Sequence, residues 1–98
     1  MKIYELEFLE PALKEWRKLD GSIRQLFIKQ LAKRLLSPHV PLAKLHGDLQ
    51  NTYKIKLRNA GYRLVYEVID RQLVILVIAV GRQDHDEVYL KASQRLNA

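Results

Sequence analysis

Residues 73–80 read Leu-Val-Ile-Leu-Val-Ile-Ala-Val, an apolar run without a single charged or polar side chain. Eight residues fall far short of the ~20 needed to span a bilayer as a helix. A short, continuous apolar run is instead the pattern of a strand buried on both faces. Such a strand needs neighbours, and the preceding sequence supplies two. Residues 53–58 (Tyr-Lys-Ile-Lys-Leu-Arg) alternate strictly, and residues 62–69 are rich in β-branched and aromatic side chains. Asn59-Ala60-Gly61 and Asp70-Arg71 are compact turns, so these segments are expected to form a three-stranded antiparallel meander.

The rest of the chain is read by the same rules. Residues 3–8 alternate and suggest a short N-terminal strand. Pro11 can open a first helix, where its missing N–H costs nothing, with Ala12, Leu13, Trp16 and Leu19 as its apolar face. Asp20-Gly21 interrupts it. Ser22 followed by Gln25 has the spacing of a capping box for a second helix. Ile23, Leu26, Phe27, Gln30, Leu31 and Leu35 recur at helical spacing, while Arg24, Lys29, Lys33 and Arg34 lie on or beside the outer face. Ser37-Pro38 ends that helix. Residues 39–52 read as a loop. Asp84 or Asp86 could cap a C-terminal helix with Val88, Ala92 and Leu96 on one side. The expected fold is α+β: an N-terminal strand, a helical hairpin, the meander and a C-terminal helix, the helices packed on one sheet face.

The 98 residues suit one domain, residues 1–98, and a 48% hydrophobic fraction is enough for a conventional core. Lys and Arg number 17 against 11 Asp and Glu, a formal charge of +6 that favours a polyanionic partner. No cysteine is present, which excludes disulfides and thiolate metal sites and suits a reducing cytoplasm. The start, Met1-Lys2-Ile3-Tyr4-Glu5, lacks the apolar stretch of a signal peptide. A soluble protein with no membrane association is expected. The three histidines lack metal-ligand spacing and no carboxylate cluster accompanies them, so no metal and no cofactor are expected.

Chemistry concentrates on residues 53–58. Successive strand side chains point to opposite faces. Tyr53, Ile55 and Leu57 should face the core, with Lys54, Lys56 and Arg58 outward together. A turn centred on Ala60-Gly61 would pair Arg58 with Arg63, Leu57 with Leu64 and Lys56 with Val65. That register keeps Arg63 on the basic face, whereas a one-residue slip would drive it into the core. Four cations crowded together repel, and a phosphate backbone would relieve that repulsion. A solvated strand face is the alternative.

The segments Ala12-Leu13-Lys14-Glu15-Trp16-Arg17-Lys18-Leu19, Tyr53-Lys54-Ile55-Lys56-Leu57-Arg58, Gly61-Tyr62-Arg63-Leu64-Val65-Tyr66 and Val68-Ile69-Asp70 closely resemble the bacterial RelE toxins. Lys44-Leu45 with Gly47, Val80-Gly81 and Glu87-Val88-Tyr89 fit the same pattern. The resemblance covers nearly the whole chain. It implies the toxin of a type II toxin–antitoxin pair, a metal-independent endoribonuclease (mRNA interferase) that enters the ribosomal A site and cuts the messenger RNA there. It further implies neutralisation by a cognate antitoxin, through which the complex could bind operator DNA. Position by position, Lys54 and Lys56 match the lysines that activate the ribose 2′-OH and hold the phosphate. Arg63 matches the arginine that stabilises transition-state charge, and Tyr89 the aromatic that stacks on a base. A free lysine near pKa ~10.4 needs a depression of about 3 units, or ~4 kcal/mol, to act as a base near neutrality. Lys56 is therefore either chiefly an electrostatic clamp or a base through a small neutral fraction.

The chain departs from the family at Gln83, where an arginine usually assists the leaving 5′ oxygen. Glutamine supplies a neutral hydrogen bond in place of a charge-assisted one, an expected loss of about tenfold. A second family arginine is His85 here, and His46 replaces a basic loop residue. His85 could serve as the replacement general acid, since its ordinary pKa of ~6.5 suits proton donation, or be an exposed loop residue. Arg58, Arg82, Gln83 and His46 are candidate RNA contacts. Two further possibilities stay open: a gyrase-inhibiting toxin of the related ParE type, and a catalytically weakened toxin acting within an antitoxin complex.

Overall fold

The computed structural model describes residues 3–45, 50–83 and 87–97. His46, Gly47, Asp84, His85 and Asp86 lie outside the described residues. The elements are β1 (Glu5–Phe8), α1 (Glu10–Arg17), α2 (Gly21–Leu36), a 3-10 turn (Pro41–Ala43), β2 (Thr52–Leu57), β3 (Tyr62–Ile69), a second 3-10 turn (Asp70–Gln72), β4 (Val74–Arg82) and α3 (Glu87–Leu96).

The antiparallel meander β2-β3-β4 forms, and β1 adds beside β4 in parallel, giving the strand order β1-β4-β3-β2. The sheet is therefore mixed. β4 is interior, with Ile75, Val77, Ile78 and Ala79 completely buried. β1 is shorter than its alternation suggests because the Tyr4 amide donates to the Leu35 carbonyl at the end of α2, and β4 offers its first partner residue, Val74, to Glu5.

The helices cover both sheet faces, correcting the one-sided packing suggested by the element order. Ala12, Leu19, Phe27 and Leu31 of the α1–α2 segment pack with Ile55, Leu64, Tyr66 and Val77. On the opposite face Val88 and Ala92 of α3 pack with Val65, Ile78 and Ala79. β3 and β4 carry apolar side chains on both faces, and each set needs cover. Trp16 belongs to the first core, its ring 5.3 Å from Phe8 and 6.1 Å from Phe27.

Local chemistry explains other boundaries. The capping box at Ser22 does not form: α2 begins two residues earlier than that cap would place it, at Gly21, with Asp20 as an extended N-cap residue that makes no side-chain cap. Arg24 instead reaches back to the carbonyls of Leu19 and Arg17, satisfying acceptors at the end of α1. Leu26, placed on the apolar stripe by spacing, is exposed, whereas Arg34, placed on the outer face, turns inward. Its Nη1 donates to the Tyr66 hydroxyl (2.8 Å) and the Lys54 carbonyl (3.3 Å).

The β2–β3 register differs from the anticipated one by two residues. Leu57 pairs with Tyr62, Lys56 with Arg63, Ile55 with Leu64 and Lys54 with Val65. The turn is longer than a two-residue centre: Gly61 adopts φ +75° and donates its amide to the Leu57 carbonyl at 2.7 Å. Arg58 thus sits in the turn and does not pair with Arg63. A two-residue shift preserves which side chains share a face, so the basic face survives the correction. On β4 one extra residue lies between the partners of Val65 and Tyr66, which pair with Ala79 and Val77. Ile78 is the bulge.

Candidate active site

β2 is an edge strand, and its even-numbered side chains project on the α3 side of the sheet. α3 lies over β3 and β4, leaving the basic side chains of β2 beside it. Lys54 and Lys56 are half-buried, and Arg63 stands directly across from Lys56. Three of the four cations named from the sequence therefore converge on one surface. The nearby Lys54 charge pulls the Lys56 ammonium below the ordinary lysine range, helped by partial burial and by the Arg63 and Arg58 charges.

Tyr89, in the first turn of α3, reaches this cluster. The Arg63 guanidinium lies over its ring, 4.9 Å from the centroid. A cation–π contact fixes both groups without consuming the guanidinium's in-plane donors. Arg58, exposed in the turn, shares with Lys54 and Lys56 a shallow cleft of about 260 Å³ whose other walls are Arg34, Val40, Leu42 and Ala43. Arg34 was not foreseen here, although its place three residues after Leu31 and beside Leu35 puts it near the buried stripe.

The other predicted contacts divide. Arg82 pairs with Tyr62, whose neighbour Arg63 points to the opposite face, and its guanidinium lies 5.6 Å from the Tyr62 ring. It borders a separate cleft with Glu15, Lys18 and Lys91 and is not brought to the lysine cluster. Gln83 is exposed, and its amide donates to the Gly61 carbonyl at 2.8 Å. Strand alternation from Gly81, the partner of Arg63, puts position 83 on the Arg63 face. His46 and His85 lie outside the described residues. Among the described residues no group of His, Asp and Glu is arranged to hold a metal ion, and no helix is long and apolar enough to cross a membrane.

A surface of converging cations beside an aromatic ring can hold a phosphodiester and stack a base. Comparison with known proteins gives this a context. The family model described as the ParE toxin of the type II toxin–antitoxin system parDE matches residues 6–87. The mRNA interferase toxin RelE of Escherichia coli K12 is 50% identical over 93 residues, spanning 95% of this chain and 97% of that one. A double arginine-to-alanine mutant of the E. coli RelE toxin in the free state superposes with a TM-score of 0.87 at 49% identity, covering 96% of this chain and 98% of that one. The toxin in the intact E. coli RelBE toxin–antitoxin complex gives 0.78 at 52% identity, over 81% and 95% of the two chains. Agreement of fold, identity and length places this chain among the RelE toxins, within the ParE toxin family of type II toxin–antitoxin systems.

Proposed function

We propose that this protein is a cytoplasmic mRNA interferase that cleaves messenger RNA in the ribosomal A site without a metal, and that a cognate antitoxin holds it inactive. The pairing of Lys56 with Arg63, with Lys54 on the same face, carries the proposal. Relatives named mRNA interferase support the activity, and the RelBE complex supports an antitoxin partner.

In the proposed reaction the ribose 2′ oxygen attacks the adjacent phosphorus and loses its proton to a base. The bond from phosphorus to the 5′ oxygen breaks, leaving a 2′,3′-cyclic phosphate, and the departing oxygen takes up a proton. Lys54 binds a non-bridging oxygen of the phosphate. Lys56 accepts the 2′-OH proton through its neutral form, made more accessible by its cationic neighbours. Arg63 stabilises charge growing on the phosphorane, oriented by Tyr89, which also stacks on an unpaired base. Arg58 adds attraction for the strand from the turn, and His46 and Arg82 contact flanking or ribosomal RNA. Gln83 donates a neutral hydrogen bond to the leaving oxygen, and His85 supplies the proton.

The pH dependence tests the role of Lys56. A base must be neutral, so in a His85→Ala background, where no histidine acid titrates at the leaving group, cleavage should rise with pH to an inflection below the ordinary lysine value of 10.5. Lys54→Gln removes the largest cause of the depression and should move that inflection upward. A rate that falls with pH through the same region would instead assign Lys56 to clamping in its charged form. At the leaving group, Gln83→Arg should raise single-turnover cleavage about tenfold, the difference between a charge-assisted and a neutral hydrogen bond. His85→Ala should lower it, and unchanged cleavage in that variant removes His85 from the mechanism.

The ParE name of the family model favours a second reading, inhibition of DNA gyrase. Programmed ribosomes carrying a defined message separate the two. Purified protein should cut the message at the A site and leave gyrase supercoiling unaffected. Intact message with blocked supercoiling would replace the ribonuclease proposal with the gyrase one. An intact message together with unaffected supercoiling would leave a toxin that acts only within its antitoxin complex, bound to operator DNA through the antitoxin.

A further inference from the structure

β1 accompanies β4 only as far as Val77. The Leu9 amide then donates to the Val77 carbonyl (3.0 Å) and the chain departs into α1. Past this point the β1-side edge of β4 has no strand beside it among the described residues, although its backbone groups still need partners. Two side chains supply them. The Val80 amide donates to Glu15 Oε1 (3.2 Å), and Arg95 Nη1 donates to the Ile78 carbonyl (2.8 Å). Glu15 and Arg95 also pair with each other at both ends, at 2.9 and 3.0 Å, and Lys91 Nζ adds a bond of 3.3 Å.

Glu15 comes from α1 on one sheet face, and Arg95 from α3 on the other. They meet around the sheet edge, with only 19% and 20% of their side chains exposed. A forked, mostly buried ion pair that also satisfies two backbone groups has few alternative geometries. Burial pushes the Glu15 carboxyl up, but Arg95, the Val80 amide and Lys91 outweigh it and hold the group below the usual range, consistent with a carboxylate locked in its charged form.

The tether matters because of what α3 carries at its other end. Val88 and Ala92 seat the helix on Val65, Ile78 and Ala79, small or branched surfaces that do little to fix rotation about the helix axis. Two lateral contacts grip the helix at its two ends: Tyr89 with Arg63 in the first turn, and Arg95 with Glu15 in the last. We infer that Glu15 is a positioning residue for RNA cleavage: through Arg95 it fixes the rotation of α3 and so keeps the Tyr89 ring against Arg63. The inference rests on the role proposed above for Tyr89. Glu15 itself lies away from the lysine cluster and acts only through the helix.

The test is a double-mutant cycle in purified full-length protein, with single-turnover cleavage of a defined message on programmed ribosomes. Glu15→Gln keeps an acceptor for the Val80 amide and removes the charge that holds Arg95. It should lower kcat by tenfold to a hundredfold, the order of effect of misplacing a reacting partner, with KM changing less than about twofold. In a Tyr89→Ala background the same change should have almost no further effect. A full-sized loss in that background, or an unchanged kcat in Glu15→Gln, overturns the inference. Arg95→Lys, which keeps one donor, should retain more activity than Arg95→Ala; equal loss in both counts against a tether. NMR contacts between the Tyr89 ring and the Arg63 side chain are read independently of cleavage. They should weaken in Glu15→Gln, and their persistence rejects the positioning role. Wild-type protein that shows the contacts but cuts no message would refute the proposed function without touching the placement of α3.

Discussion

Replacing Lys56 with alanine should lower message cleavage by about 10³ while leaving the folded protein as stable as before, or slightly more so. The loss combines removal of a proton acceptor with removal of a cation from the phosphate site; proton transfer by a positioned side chain alone is worth ~10²–10⁴. The gain has a separate origin. Lys56 faces Arg63 directly across the β2–β3 ladder, with Lys54 on the same side. Like charges placed opposite each other on a sheet are destabilising, at roughly 0.2–1 kcal/mol per pair. Alanine removes that repulsion and creates no void in either core, because Lys56 projects toward solvent. Single-turnover cleavage and thermal denaturation on the same preparation give both quantities. If activity and melting temperature fell together, the cluster would be serving the fold, and the assignment of a working site to this surface would fail.

Phe27→Ala should have the largest effect on stability. Phe27 is completely buried in the core between the α1–α2 segment and the sheet, against the Trp16 ring. Phenylalanine-to-alanine changes at such positions cost ~3–5 kcal/mol, out of a typical total of about 5–15. For a chain of this size each kcal/mol lowers the melting temperature by roughly 4–8 °C, so the midpoint should fall by at least about 12 °C. Leu26, its immediate neighbour, is 43% exposed, and Leu26→Ala should change stability by only about 0.5 kcal/mol. Circular dichroism melts of the two variants make the comparison. Similar shifts would show that the division between inner and outer positions on α2 is wrong.

The same contrast shows which parts of the structure the sequence could convey. Alternation is a local signal, so Lys54, Lys56 and Arg63 were legible as one face even though the turn between their strands was read two residues short. The face depends on parity and the register on turn geometry, which in this chain turns on the conformation of Gly61. Sidedness was harder. The apolar run in β4 already signalled cover on both faces, yet element order alone suggested one layer of helices. The pairing of β1 with β4, and the meeting of Glu15 with Arg95 across 80 positions of sequence, carry no local trace. Arg34 was misplaced for a related reason: a charged residue beside a helical stripe usually stays in solvent, and the buried Tyr66 hydroxyl and the Lys54 carbonyl, distant in sequence, give it a reason to turn in.

The single additional residue at Ile78 sets the phase of everything beyond it on β4. With that residue present, Gly81 lies opposite Arg63, and the first turn of α3 can settle close above a position that has no side chain; a Cβ there would stand 3.5 Å from Val88. Were the ladder to run on without interruption, Val80 would occupy that place, and its isopropyl group would enter the space where aromatic ring and guanidinium now meet. Removing Ile78 itself would leave Ala79 to Arg82 opposite their present β3 partners. The damage would come from closing the bulge with every residue retained, which would exchange inside for outside along the end of the strand and fill the pocket with a hydrocarbon.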